Sequence, residues 1–378
     1  MSSPTALDPG YTTPEMAGLW TTASRVDAIL QFEAALALAL GEAGLAPPAQ
    51  AEAVAAACAQ PLDDPDTVWA STWERGTPLL AILDVVAGRL AGQEERRWLH
   101  HGATTQDAID TAHMLLAAKS ISLLAVDLEN VARRMAELME EHRLQPEMGR
   151  TFLQHARPTT FGMRVARWLE TTLGHIEEMR SVRSELSVQL GGPVGDRAGY
   201  GAVSQQVVDH LASRLGLAGT PLSWHTDRTP VWRLVDSVDR AVRSMAKISL
   251  DVALLASSDI GELEVRAGGS SAMAGKRNPL DSIRALAAAQ ACRGAVAMVG
   301  GARPHELDRG LGSWHVEWFA LPIVFQTAAA VCEAVDDLFA HLEVDTTSMG
   351  SVPSEPPIEA LETQMDNVAA RFRRIVAD

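Results

Sequence analysis

The chain is short of cysteine, of positive charge and of strand-forming stretches, and each shortage excludes something. Only three cysteines occur in 378 residues, Cys58, Cys292 and Cys332, far apart and without a CxxC pair. That excludes a disulfide framework and a cysteine-built zinc site, and it predicts a reducing, cytoplasmic setting. The 32 Lys+Arg fall well below the 48 Asp+Glu, a formal net charge of −16. Such a surface repels a phosphate backbone, so no nucleic-acid partner is expected. No run approaches the ~18 unbroken apolar residues that cross a bilayer. Met1 to Gly10 has no basic segment leading into an apolar one, so neither a membrane partner nor a secretory leader is expected. HExxH, a GxGxxG after a strand, the P-loop and GxSxG are all missing, which removes the common zinc-protease, nucleotide and serine-hydrolase readings. With 47% hydrophobic and 21% charged residues, what remains is a globular protein.

Glycine and proline are also absent where it matters. Between Gly102 and Pro146 there is neither, and apolar residues recur at helical spacing through Ile109, Ala112, Leu116, Leu123, Val126, Val131, Met135 and Leu138. A helix over most of that span is about 50 Å long. Four more long segments follow: Thr160 to Leu190, Val231 to Ile260, Asn278-Pro279 to about Val299, and Ser313 to Leu342 with Pro322 as a kink. The fourth opens as a cap with proline at the first helical position. These lengths are twice the usual ~11–12 residues or more. Apolar residues such as Leu250, Val252, Leu254 and Leu255 lie on more than one face. Rods of this kind bury themselves in a bundle, often one shared between subunits. The fold class is therefore all-α. Residues 1–107 read as an N-terminal domain of shorter helices, including Val26 to Leu40 and Ala49 to Ala59. Residues 108–344 read as the long-helix bundle, and 345–378 as a short C-terminal remnant ending in one amphipathic helix.

The polar punctuation between the rods is where chemistry is expected. Gly268-Gly269-Ser270-Ser271-Ala272-Met273-Ala274-Gly275-Lys276-Arg277-Asn278-Pro279 presents many backbone N–H groups, leads into a helix N-terminus and carries Lys276. It suits a carboxylate, or a carbanion delocalised into one. A serine in such a field exchanges protons, because the cation and the N–H dipoles stabilise its alkoxide. The plainer reading is a flexible connector with a helix cap. Thr104-Thr105-Gln106-Asp107 puts two hydroxyls, an amide and a carboxylate at the start of the longest helix, either as an anion site or as a simple cap by Thr105 or Asp107. Adjacent His100 and His101 cannot share a helical face, and no metal is expected. His155 and His225 lie in polar loops and are candidates for substrate contact.

Taken together, these segments resemble the fumarase/aspartase superfamily, over roughly residues 20 to 345. The run Gly269 to Pro279 is similar to its signature loop, G-S-S-x-M-P-x-K-x-N-P. The resemblance implies a twenty-helix tetramer core with five helices from each subunit, active sites assembled from three subunits, and chemistry without metal or organic cofactor. Within the superfamily, His101-Gly102-Ala103-Thr104-Thr105-Gln106-Asp107 with Asp110-Thr111, Trp224-His225-Thr226-Asp227-Arg228, and Gly312-Ser313-Trp314-His315-Val316-Glu317-Trp318 with Leu321-Pro322 resemble the 3-carboxy-cis,cis-muconate cycloisomerases. Those enzymes belong to the protocatechuate branch of aromatic catabolism. Thr151-Phe152 stands where many lyases of the superfamily carry Thr-His, and the cycloisomerases also lack that His.

The resemblance implies Ser270 as the proton-transfer group and Lys276 as the charge-stabilising one. It implies Thr104, Thr105, Gln154 and Ser271 as substrate contacts, Asn278 as the residue that orients the loop, and Arg228 as a bidentate carboxylate clamp. His155 and His225 are further donors to the same anion. The implied substrate is a small polycarboxylate. A fumarate-forming lyase on a substituted succinate is the nearest alternative, and a non-catalytic helical scaffold a more distant one. The sequence departs from the pattern at Ala274, where the signature has Pro, at Thr105 in place of Ser, and around Arg75-Gly76-Thr77-Pro78, where no Asn aligns.

Overall fold

A computed structural model describes residues 7–273, 275–302 and 304–376, so Ala274 lies outside the described residues. The helices that position the site are, in chain order, α1 (Thr22–Glu42), α2 (Thr105–Glu141), α3 (Phe161–Glu185), α4 (Thr229–Leu255), α5 (Leu280–Gly301), α6 (Ser313–Ala340) and α7 (Ile358–Val376). α2 to α6 correspond to the five long segments expected from the sequence; α3 continues through Gly162 and Gly174. Capping sets their starts. The Thr160 hydroxyl accepts from the amide of Met163 at 3.2 Å to open α3, and Pro230 occupies the first turn of α4. Pro322 lies inside α6, where its missing N–H removes one rung of the helix.

The rods pack as an up-down bundle. α6 lies against α2, α4 and α5, while α3 lies between α2 and α4 and carries α7 on its outer side. Leu116, Leu124 and Val131 of α2, Leu169 and Ile176 of α3, Val235 and Val242 of α4, and Leu321, Val324 and Val331 of α6 are all buried. α5 contributes Ala285, Ala288 and Ala289, small enough for its backbone to approach its neighbours closely. The averaged apolarity of α2 and α6 would allow a membrane span, yet most of each stretch is buried inside the protein, as in the core of a helical bundle. The three cysteines are buried and unpaired.

Two details differ from the sequence expectations. Asn278 does not cap α5. Asn278–Pro279 instead pairs antiparallel with Ala267–Gly268, and α5 begins at Leu280. The stretch after α2, read as a loop, is a hairpin of β1 (Pro146–Thr151) and β2 (Gln154–Thr160). Its two-residue tip, Phe152 and Leu153, has positive φ at both positions, 51° and 61°. A turn of that hand normally takes Asn-Gly, so bulky side chains hold it under strain.

Candidate active site

α2, α4 and α6 start at one end of the bundle, and α3 and α5 start at the other. The first end is marked by Arg228, which precedes α4 and reaches Asp110 on the first turns of α2. The second is marked by Arg150 of the hairpin, which reaches Glu262 beyond α4. Between them runs α2, 37 residues, or about 55 Å at 1.5 Å per residue. The sequence-predicted residues divide between these ends. Thr104, Thr105, His225 and Arg228 lie at the first. Gln154, His155, Ser270, Ser271, Lys276 and Asn278 lie at the second.

At the first end Thr104 holds the N-cap position, and Asp107 is both the capping-box partner that accepts from its amide and a hub. Asp107 accepts from the amides of Thr104 (3.0 Å), Gly191 (2.8 Å) and Gly192 (2.8 Å) and meets His225 Nε2 at 2.7 Å. A Cβ on Gly191 would sit 2.7 Å from the His225 ring, so glycine is what allows the loop to reach the carboxylate. His225 is 4% exposed and bound to Asp107. Its Nε2 serves that hub, while its Nδ1 is enclosed without a hydrogen-bond partner among the described residues.

Arg228 departs further from its predicted role. Its guanidinium donates to Asp110 from Nη1 (2.7 Å) and Nη2 (3.0 Å), and to Glu317 from Nε (3.0 Å) and again from Nη2. A longer bond from Nη1 reaches the Trp224 carbonyl at 3.5 Å. Five N–H donors meet five acceptors, the residue is 4% exposed, and no donor is left to clamp a substrate carboxylate. Burial alone would lower the guanidinium's pKa, but the two carboxylates raise it overall. Burial also opposes ionisation of Asp110, yet Arg228 brings that carboxyl below the usual range. Trp314 Nε1 adds a donor to Asp110 at 2.9 Å, and Gln106 adds another at 3.1 Å. Thr104 and Thr105, half-buried at the helix N-terminus, are the predicted residues of this end that remain open. Sequence reasoning missed Asp107, Asp110 and Glu317 as positioning residues. Asp107 and Asp110, three apart and so on one helix face, were the available signal.

The second end is built differently. The neck of the Ser270 loop is closed by the Gly268–Asn278 and Ala267–Pro279 pairs, and the Asn278 side chain donates to the Gly269 carbonyl at 3.0 Å. Asn278 thus ties the two sides of the loop's neck together. Ser270 Oγ accepts from the amides of Met273 (3.1 Å) and Ala272 (3.4 Å), the arrangement that stabilises an oxyanion at that atom. Ser271 and Lys276 are exposed. Arg277 is tied down to Glu264 at 3.0 Å, which leaves Lys276 as the loop's unpaired cation among the described residues. In the hairpin, Gln154 pairs with Thr151 and His155 with Arg150. Neighbouring strand residues face opposite ways, so Gln154 and His155 cannot serve the same ligand face. His155 lines a cavity of about 270 Å³ with Arg150, Arg164 and the end of α4. Among the described residues, no three His, Cys, Asp or Glu side chains gather as a metal site.

Five rods with chemistry-bearing loops at both ends define a class, and comparison with known proteins identifies it. Residues 10–293 match the family described as Lyase. The chain is 34% identical over 350 residues to the 3-carboxy-cis,cis-muconate cycloisomerase of Pseudomonas aeruginosa, covering 91% of this chain and 76% of that one. It is 31% identical over 362 residues to the nitrosuccinate lyase of Streptomyces davaonensis, with 91% and 76% covered. The 3-carboxy-cis,cis-muconate lactonizing enzyme of Pseudomonas putida superposes with a TM-score of 0.83 at 28% identity, over 97% of this chain and 89% of that one. The chain therefore belongs to the fumarase/aspartase superfamily, as an enzyme of the muconate cycloisomerase type with lyases among its relatives.

Proposed function

We propose that the protein converts 3-carboxy-cis,cis-muconate to a carboxymuconolactone without metal or organic cofactor, as a homotetramer whose active sites are shared between subunits. The observation that carries the reading is the Ser270 loop: a hydroxyl oxygen facing two backbone N–H groups, six residues before an unpaired Lys276. One substrate carboxylate oxygen forms a bond to an alkene carbon. The displaced π electrons move to the neighbouring carbon and into its carboxylate, giving an aci-carboxylate. Ser270 Oγ–H gives its proton to that carbon, and the resulting alkoxide is held by the loop amides and Lys276 until it is reprotonated from solvent. Thr104 and Thr105, at a helix N-terminus, supply donors for another carboxylate.

Two features support sharing between subunits. Thr105 and Ser270 sit at opposite ends of a helix about 55 Å long, so one chain cannot place both on one small substrate. Apolar side chains also remain uncovered on the rods: Leu250 is 47% exposed and Ile283 51%. With Ala287, Gly294 and Met298, Ile283 continues an exposed stripe down α5, suited to burial against another copy.

The likeness to a nitrosuccinate lyase supports a second reading, β-elimination from a substituted succinate. Ser270 would then act in reverse, taking the proton α to a carboxylate as the β-substituent departs with its bonding electrons. One assay separates the two. Loss of the diene's ultraviolet absorbance with lactone formation, insensitive to chelator, is the expected result. Fumarate released from a substituted succinate, with the diene inert, assigns the lyase reaction instead.

A further inference from the structure

Behind the hairpin, on the face away from Gln154, lies the cavity of about 270 Å³ that the reaction above does not use. Arg150 and His155 are cross-strand partners, so both point to the same face of the hairpin, and both line the cavity. The start of α3 and the end of α4 form its other walls. The volume is somewhat below the ~300–1,000 Å³ of sites for drug-sized molecules, which suits a small metabolite.

Two charged groups of the lining have open atoms. Arg150 is not one of them, because its fork is spent on Glu262 at 2.9 and 2.7 Å. Arg164, early on α3, gives only its Nε to Glu147, at 2.6 Å. Its Nη1 and Nη2 have no hydrogen-bond partner among the described residues, and they are not enclosed. Burial pushes the Glu147 carboxyl up to about 7, so at neutral pH it balances the Arg164 charge only in part. Asp251, near the end of α4, accepts from Trp168 Nε1 at 3.0 Å and from Lys247, both through Oδ2. Its Oδ1 is open, without a partner among the described residues. The two groups are neighbours. Trp168 follows Arg164 by one helical turn and shares its face of α3, ~5–6 Å away between Cβ atoms, and Trp168 carries the bond to Asp251. A donor fork and an acceptor thus stand about one turn apart in one cavity, with Leu255 and Ile260 as apolar wall.

We propose that this cavity binds a free aliphatic α-amino acid, its carboxylate on Arg164, its ammonium on Asp251 and its side chain against Leu255 and Ile260. The Arg164 fork offers a carboxylate two parallel N–H bonds, and Asp251 Oδ1 accepts one N–H of the ammonium. A simple anion would meet Asp251 with nothing to give it, and a simple amine would leave the fork of Arg164 unused. Only a zwitterion answers both groups at this spacing. The site stands apart from the Ser270 loop, so the inference does not depend on which reaction the enzyme catalyses.

The test titrates the full-length protein calorimetrically with three probes: L-leucine, 4-methylpentanoate, which lacks the ammonium, and 3-methylbutylamine, which lacks the carboxylate. The wild type is expected to bind leucine at least roughly tenfold more tightly than either of the others, the worth of one hydrogen bond to a charged group. Asp251→Asn keeps an acceptor for Trp168 and should weaken leucine by roughly tenfold, with 4-methylpentanoate unchanged or tighter. Arg164→Lys keeps a cation beside Glu147 but loses the fork, so it should weaken leucine and 4-methylpentanoate and spare the amine. Lys276→Ala should bind leucine as the wild type does, because its loop is not part of the cavity. Failure of leucine to bind, equal affinity for the three probes, wild-type leucine affinity in Asp251→Asn or Arg164→Lys, or loss of leucine binding in Lys276→Ala overturns the proposal. The three-probe comparison on the wild type decides the matter even where a variant does not fold.

Discussion

The two ends of the bundle hold comparable numbers of polar residues and use them in opposite ways. At the Thr104 end Asp107, Asp110, Arg228 and Glu317 are at most 4% exposed and bound to one another or to backbone. At the Ser270 end the residues from Ser271 to Arg277 that are described lie at the surface, and the loop is pinned mainly at its neck. The comparison teaches where charge serves architecture and where it serves chemistry. The buried ion network spends every donor of Arg228 on acceptors of the chain itself, so that cation serves the fold. An exposed loop with an unpaired cation has its donors free.

The sharpest way to break the contrast is at Ser270. Ser270→Ala should lower kcat by at least ~10²–10⁴-fold, the usual contribution of a general acid or base, with little change in KM and none in melting temperature. Lys276→Ala should lower kcat and raise KM as well, because it stabilises charge in both ground and transition states. Near wild-type kcat in Ser270→Ala would assign the proton to another group. At the opposite end the effect moves from rate to stability. Arg228→Met leaves Asp110 and Glu317 buried without their cation and should cost about 3–5 kcal/mol in urea unfolding. A clamp on substrate would instead raise KM and leave stability alone.

Much of this was legible in the sequence, and the limits have physical causes. The rods were visible because Gly and Pro are absent over the whole of α2, and because apolar residues recur at helical spacing. The Ser270 loop was visible because its glycines, serines and lysine are contiguous. The role of Arg228 was not, because its partners lie 118 and 89 residues away and spacing says nothing about contacts of that range. The β1–β2 hairpin was hidden because Phe152 and Leu153 carry no turn signal, so only the fold forces them to positive φ. The opposite facing of Gln154 and His155 was hidden with it, since that alternation follows from a strand that the sequence did not announce.

A smaller effect sharpens the comparison from the base of the hairpin. Glu147 is fully buried beside Arg164. Burial, only partly offset by Arg164, pushes its carboxyl up to about 7 from an ordinary 4.5. Between those values the folded protein holds a proton that the unfolded chain has released, so this group lowers stability as pH rises through the window and adds no further slope above it. Glu147→Gln should flatten that part of the stability–pH curve. An unchanged slope would place the proton elsewhere. Smallest of all, Asn278→Ala should cost about 1 kcal/mol or less in stability, one solvent-exposed hydrogen bond, while lowering kcat several-fold by loosening the neck of the loop. A fall in stability larger than the fall in rate would make Asn278 structural.

The central claim is that the two ends meet across subunits, and mixing two inactive proteins tests it most directly. Thr105→Ala and Ser270→Ala are each expected to be nearly inactive. Unfolded together in equal amounts and refolded, they form mixed tetramers in which some sites draw Thr105 from one chain and Ser270 from another. Random assembly then restores roughly a quarter of wild-type activity. Mixed tetramers with no recovery would mean that both residues serve a site from the same chain, and would contradict the account.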